Sequence, residues 1–141
     1  MTGAVGAGDT SHDDRVLGRL RKLCLSLPET TETGSWGHPN FRAGKRTFVT
    51  YEWTRGCPAI AFRLAPAEVR RREKARGFLS TPYGRGQWVS MEVRGRLDWR
   101  LVERLILESY RGVAIKRMAC ALEARSRKRR ALPAGERRRG K

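Results

Sequence analysis

The sequence predicts an α+β domain in which an antiparallel sheet is covered on one face by helices. Segments with helical apolar periodicity lie near both ends of the chain, and short β-rich segments bounded by turn residues lie between them. A length of 141 residues with 39% hydrophobic residues is enough for one domain with a modest core. We expect a flexible arm at residues 1–12, the domain at residues 13–124 and a basic disordered tail at residues 125–141.

The first predicted helix begins at Asp13 or Asp14 and ends near Leu27, because Pro28 disfavours its continuation. Six apolar residues recur at helical spacing and form one face: Val16, Leu17, Leu20, Leu23, Cys24 and Leu27. Since Cys24 falls on that face, we expect a buried core residue and not a reactive thiol.

Five short strands are predicted next. They cover residues 30–36, 40–43, 47–53, 59–64 and 87–93. Turn residues at 44–45 and 55–56 separate neighbouring strands, and a turn at 94–96 closes the last one. Phe48, Ile60 and Phe62 are expected to lie in the core. Pro66 opens a short helix over residues 66–76, which Gly77 ends.

Two helices complete the predicted domain. Asp98 caps a helix that ends near Arg111, before Gly112. The residues predicted to form its buried face are Leu101, Val102, Leu105, Ile106 and Tyr110. The last helix is predicted from Val113 to about Arg125, with four inward-facing residues: Ile115, Met118, Ala119 and Leu122.

The chain is strongly basic, with 31 Lys and Arg against 14 Asp and Glu and a formal net charge of +17. Nine bases and one acid lie in the predicted tail alone. Polycations of this kind bind polyanions by releasing counterions. No apolar stretch is long enough for a membrane helix, and the N-terminus lacks the pattern of a secretory signal. We therefore expect a cytoplasmic protein without a membrane partner.

No constellation of catalytic or metal-binding residues is apparent. His12 and His38 have no cysteine or histidine at ligand spacing, and the three cysteines form no CxxC pair. The glycines around Arg85 do not form a dinucleotide-binding loop, and the Gly and Lys at 44–45 are not followed by the Ser or Thr of a phosphate-binding loop. We expect a non-catalytic protein with no metal and no cofactor.

Basic residues in loops, with aromatic residues nearby, are the strongest functional signal. Arg and Lys bind phosphate groups, and aromatic rings stack on exposed bases. We expect folding to gather the following residues into one patch that contacts nucleic acid, with DNA as the foremost candidate: Lys45, Arg46, Arg63, Arg85, Trp88, Arg94 and Arg96. For Trp88, a core position in its strand is the competing interpretation.

Two other functions stay open at this point. The same charge would attract an acidic protein partner. A small-ligand or phosphate-ester pocket near Tyr83, Arg85 and Trp88 is the third interpretation.

Five stretches of residues 20–118 are similar, in order, to the MmcQ/YjbR family: LRKLCLSLPET at 20–30, WGHPNFRAGKRTFV at 36–49, AFRLAPAE at 61–68, TPYGRGQWVSM at 81–91 and ESYRGVAIK at 108–116. The resemblance implies a frataxin-like (CyaY-like) fold and the bacterial DNA-binding role proposed for that family. It also implies that Lys45, the loop before Trp88, and Lys116 occupy the family's basic positions. The chain departs from the family at Arg63, where lysine is common, and at residues 86–87.

Overall fold

The computed structural model of the protein describes residues 10–35, 38–54, 56–81 and 86–131. Within these ranges the chain forms four helices and six strands. In chain order they are α1 (Thr10–Leu25), β1 (Thr30–Ser35), β2 (His38–Ala43), β3 (Arg46–Thr54), β4 (Cys57–Arg63), α2 (Pro66–Glu73), β5 (Phe78–Ser80), β6 (Trp88–Glu92), α3 (Trp99–Val113) and α4 (Lys116–Ala131).

All six strands belong to one antiparallel sheet with the order β1-β2-β3-β4-β6-β5. The first four strands are successive hairpin neighbours. β6 lies between β4 and β5, so the connection through α2 carries the chain past the position that β6 occupies. The α+β class and the antiparallel sheet that the sequence predicts are confirmed.

The core lies on one face of this sheet. Because side chains alternate along a strand, residues that face the same side can be read from the pairing register. On the core face these are buried and large: Val49, Tyr51, Ile60, Phe62, Val89 and Met91. α3 packs against β3 and β4, α2 against β5 and β6, and α1 against β1. The opposite face carries smaller or polar residues, including Thr50, Ala61 and Ser90 in one row.

A β-bulge in β3 brings an additional aromatic ring into the core. Val49 lies opposite Phe41 but Thr47 lies opposite Arg42, which leaves Phe48 as the extra residue. Phe48 is fully buried, and its ring meets the ring of Tyr110 edge-on at a centroid distance of 5.7 Å. The predicted core positions of Phe48, Ile60 and Phe62 are confirmed.

Helix α3 is held at both ends by polar contacts. Asp98 accepts hydrogen bonds from the backbone amides of Arg100 and Leu101, as the predicted cap requires. Near its other end, the Tyr110 hydroxyl donates to the Pro28 carbonyl at 2.8 Å. The sheet-facing residues are buried as predicted, except that Leu101 is half-buried: Val102, Leu105, Ile106 and Tyr110.

The N-terminal helix starts earlier than predicted. α1 begins at Thr10, so the end of the predicted arm is helical, and residues 1–9 lie outside the described residues. It ends at Leu25, two residues before the predicted end, and Leu27 is buried just beyond it. The rest of the apolar face is as predicted, with three buried residues and two half-buried ones that pack against the core: Val16, Leu20 and Cys24, then Leu17 and Leu23.

The C-terminal helix corrects the prediction more extensively. α3 continues through Gly112 to Val113, and α4 begins at Lys116, so Ile115 lies in the connection and is 52% exposed. α4 continues to Ala131, so the first seven residues of the predicted disordered tail are helical. Alanine, lysine and arginine are strong helix formers, and cations in the last turn are favoured by the helix dipole. Residues 132–141 lie outside the described residues.

Strand β5 is missing from the prediction, which assigns Leu79 and Ser80 to a loop. Three residues are too few to show an alternating pattern. The strand forms because its backbone pairs with β6 and because Phe78 packs against the core. Among the residues that the structure describes, no helix combines the length and apolar character needed to cross a membrane.

Candidate nucleic-acid interface

The antiparallel register separates the predicted basic residues into two groups at opposite ends of the sheet. One end, here called the β2–β3 end, contains the turn at 44–45, the end of β4 at Arg63 and the start of β6 at Trp88. Arg63 and Trp88 pair with each other. The other, the β3–β4 end, contains the turn between β3 and β4 and the end of β6 at Glu92. β4 has seven residues, so the two ends lie about 20 Å apart.

The turn between β2 and β3 is fixed by Gly44. Its φ of 63° lies in the left-handed region that glycine adopts without strain. Its amide donates to the Glu29 carbonyl at 3.0 Å, and a Cβ at this position would lie 3.7 Å from the Met118 sulfur of α4. The turn, with the exposed Lys45 and Arg46, therefore lies beside the first turn of α4.

Arg63 and the start of β6 form a second basic element at the β2–β3 end. The Arg63 guanidinium donates to the Gln87 side-chain oxygen at 2.9 Å, and the Leu64 amide donates to the Gln87 carbonyl at 2.9 Å. The side-chain amide of Gln87 is neutral, so this hydrogen bond does not offset the positive charge of Arg63. Trp88 pairs with Arg63 and is half-buried, so its ring is neither a core side chain nor a fully open one.

Helix α4 begins at the same end and contributes two cations. Arg117 binds the Glu29 carboxylate through two hydrogen bonds of 2.8 and 2.6 Å. The hydrogen bond from Arg117 holds the pKa of Glu29 below its usual value, although burial acts in the other direction. Lys116 is exposed at a helix N-terminus, where the helix dipole disfavours a cation.

The β2–β3 end carries uncompensated positive charge. Within the described ranges, no carboxylate lies within ion-pair distance of Lys45, Arg46 or Lys116. Sequence reasoning missed Arg42, which is exposed on β2 close to the turn and has no ion-pair partner in the same part of the chain. The alternation of β2 toward the turn was the signal that would have identified it.

Arg94 and Arg96 do not join this group, which corrects the expectation of a single patch. Both follow the end of β6 and lie at the β3–β4 end. The Arg94 side chain lies 3.6 Å from the Glu92 carboxylate, and the nearby Cys57 sulfur and Glu92 raise its pKa. The physical reason is that turns at opposite ends of an antiparallel strand point in opposite directions.

Two predicted residues of the loop before β6, Tyr83 and Arg85, lie outside the described residues. Over the described ranges, no three His, Cys, Asp or Glu side chains are grouped closely enough to hold a metal ion. Cys24 is buried as predicted, and burial raises the pKa of its thiol.

The family model named YjbR matches residues 25–112 of the chain. The search of curated proteins found no match to this chain. A Deinococcus radiodurans protein with a DUF419 domain has a similar structure, with a TM-score of 0.61 and 19% identity over 76% of this chain and 87% of its own.

Two further solved structures are similar. A Pseudomonas syringae protein has a TM-score of 0.51 and 15% identity over 60% of this chain and 86% of its own. A Bacillus subtilis protein of the DUF1801 family has a TM-score of 0.51 and 20% identity over 72% of this chain and 79% of its own. At these identities the likeness shows a shared fold.

Proposed function

The chain belongs to the YjbR family, and from the charge at its β2–β3 end we propose that it is a small non-catalytic protein that binds the phosphate backbone of DNA. The observation that carries the proposal is that cations from separate parts of the sequence meet at one end of the sheet, with no ion-pair carboxylate among the described residues: Lys45, Arg46, Arg63 and Lys116. Such a group contacts phosphates without reading bases.

The local structure supports a binding role for these residues. Lys116 occupies a helix N-terminus where its charge is unfavourable for the helix itself. A residue that opposes its own local structure often has a functional reason to be there. The backbone of the turn that carries Lys45 and Arg46 is held by the hydrogen bond from the Gly44 amide to the Glu29 carbonyl, so it need not be ordered when a ligand binds.

Helix α4 would add to the affinity. It has five bases and no acid over residues 125–131, and the Arg125 guanidinium donates to the Ser26 carbonyl. Ser26 directly follows α1 and lies four residues before β1, whose first residue pairs with Ala43, so this contact holds the helix near the β2–β3 end. For backbone binding without base readout, we expect a dissociation constant on the order of 10⁻⁴–10⁻⁶ M at physiological salt.

The test is a titration of duplex DNA at several salt concentrations. Lys45→Ala and Lys116→Ala are compared with Arg15→Ala and Arg104→Ala, which remove exposed cations from α1 and α3 away from the β2–β3 end. Each lost phosphate contact should lower the slope of log K against log salt by about 0.9. We expect that change for the first pair and not for the second.

Equal effects of the two pairs would contradict the proposed interface, because binding would then follow total charge. A chain shortened to end at Ala131 supplies a second check. If that chain no longer binds DNA, the residues after 131 are the binding element and the folded domain is not.

An acidic protein partner would use the same cations, and a complex that survives nuclease treatment would favour that alternative. We retain as proposals the frataxin-like class of the fold, which the family resemblance implies, and a cytoplasmic location.

A further inference from the structure

The described helices cover one face of the sheet and leave the other face without a layer from the same part of the chain. Every buried apolar residue of these helices belongs to the core cluster, whereas Ala59 and Ala61 of β4 are buried outside it. Because side chains alternate along a strand, these alanines and the residues paired with them point away from the core. This side of the sheet is here called the open face.

A row of short, uncharged side chains crosses the middle of the open face. It passes through β2, β3, β4 and β6 by the direct pairing of Asn40, Thr50, Ala61 and Ser90. None of these side chains is longer than that of asparagine. A second sheet can therefore approach the backbone closely along this row, as the sheets of a sandwich do.

Charges of opposite sign lie on the two sides of this row. Arg42 and Arg63 lie two residues beyond it, toward the β2–β3 end. Glu52 and Glu92 lie two residues beyond it on the other side, toward the β3–β4 end, and both pair with Ala59. Two residues of a strand span about 7 Å, so the arginines and the glutamates are about equally far from the row.

The contacts described for these side chains leave their charges in place. The Arg63 guanidinium donates to the neutral side chain of Gln87. Glu92 lies 3.6 Å from Arg94, whose side chain is 68% exposed, and exposed pairs of this kind contribute little. Arg42 is exposed, and no carboxylate of the described ranges lies within ion-pair distance of it.

The pattern of charges is complementary to itself. A two-fold axis along the uncharged row places two copies face to face, with each strand over its own copy and the ends of the sheet exchanged. Arg63 of one copy then lies over Ala59 of the other, between Glu52 and Glu92. Arg42 lies one strand away from Glu52 of the other copy, about 5 Å to the side.

We propose that the open face is a dimer interface, in which two copies of the chain pack sheet against sheet about this axis. The two arginines and the two glutamates cancel in formal charge, whereas the whole chain carries +17. A polyanion would meet two carboxylates on this face, while a second copy meets charges opposite to its own. The inference does not depend on the proposed DNA binding.

The size of the face sets the expected strength of the dimer. Six strands span about 25 Å and the charged rows with their side chains about 20 Å, so each copy contributes about 500 Å². The total of about 1,000 Å² is the lower limit for a specific interface, and we expect a dissociation constant on the order of 10–100 µM.

The experiment measures self-association of the full chain by sedimentation equilibrium, over about a hundredfold range of concentration around that constant. The protein is first freed of nucleic acid, because DNA would bridge molecules and because Arg63 also belongs to the proposed DNA contact. The unmodified chain should pass from monomer to dimer and form no larger species, since a two-fold interface uses the open face of both copies.

Charge reversal tests the geometry. Arg42→Glu and Glu52→Lys each bring like charges together at both symmetry-related positions, so each should weaken the dimer at least about tenfold. An equimolar mixture of the two variants should dimerise again, because each reversed charge meets its opposite on the other copy. Arg104→Glu and Glu103→Lys change the net charge equally on the exposed side of α3 and should leave the dissociation constant unchanged.

Three outcomes would overturn the inference. They are a chain that stays monomeric at the highest concentration, a dimer that both reversals leave intact, and a mixture of the variants that stays monomeric. An intact dimer would mean that the copies meet elsewhere, for example at the edge of β1. Urea unfolding checks that each variant is folded, and Glu92→Lys replaces Glu52→Lys if that variant is not. None of these outcomes bears on the DNA titration.

Discussion

Two adjacent buried residues of α3 should respond in opposite directions to the loss of one hydroxyl oxygen. Ser109 and Tyr110 are both fully buried. The Tyr110 hydroxyl donates to the Pro28 carbonyl at 2.8 Å, while the Ser109 hydroxyl has no hydrogen-bond partner among the described residues. We expect Tyr110→Phe to destabilise the protein and Ser109→Ala to stabilise it.

The magnitudes follow from these surroundings. Tyr110→Phe keeps the edge-on contact with Phe48 and removes only the hydrogen bond, whose net contribution is about 1 kcal/mol. Pro28 is half-buried, so water can replace the lost donor and the effect should stay near that value. Ser109→Ala relieves the desolvation of an unpaired hydroxyl and improves helix propensity, which together should add about 1 kcal/mol to the free energy of unfolding.

Equilibrium unfolding in urea measures both effects. With an m-value of about 2 kcal/mol/M, each change should move the midpoint by about 0.5 M, down for Tyr110→Phe and up for Ser109→Ala. The double variant should return close to the unmodified protein. A loss of stability in Ser109→Ala of 1 kcal/mol or more would refute the reasoning, because it would mean that the hydroxyl has a buried partner.

Three further predictions concern a cap, a turn and an ion pair. Asp98→Ala should lower the free energy of unfolding by about 1 kcal/mol in urea, because it removes the acceptor for two amides of α3; no change would mean that water replaces the cap. Gly44→Ala should cost about 1–2 kcal/mol by the same measurement, since alanine is strained at a φ of 63°, whereas Gly18→Ala, in the middle of α1, should be neutral or stabilising. The Glu29–Arg117 pair stabilises the fold at pH values above the unfolded pKa of Glu29, and this effect is lost as the pH falls through the lowered pKa of the folded state. Glu29→Gln should therefore make the free energy of unfolding depend less on pH on the acid side. An unchanged dependence on pH would contradict this.

The sequence predicts most of the sheet because the strand signals are local. The turns at 44–45 and 94–96 need glycine in the left-handed region, and both glycines have positive φ values. The core positions of β3 and β4 follow from large apolar residues between turns. β5 could not be predicted, because its strand form depends on pairing with a segment that comes later in the chain.

The candidate site was predicted less well, since it depends on the end of the sheet at which each basic loop lies. The residue types of the basic loops are plain in the sequence, yet one group lies at each end of the sheet. Lys45 lies in the turn between β2 and β3, so the order of the hairpins fixes its end of the sheet. Arg94 follows β6, and its end of the sheet depends on the antiparallel pairing of β6 with β4, which the sequence does not show. Arg42 was missed although it alternates with the buried Phe41 and Ala43, a pattern that places it on the exposed face of β2.

The strand order also sets when the sheet can be completed during folding. β1 to β4 can join as successive hairpins, but β5 is made before β6 and pairs only with it. In refolding followed by pulsed hydrogen exchange, we expect the amides of β5 to gain protection no earlier than those of β6, and earlier protection of β5 would contradict this order. Until β6 docks, the apolar residues 59–62 of β4 form an open edge, which makes this intermediate the species most prone to join another chain.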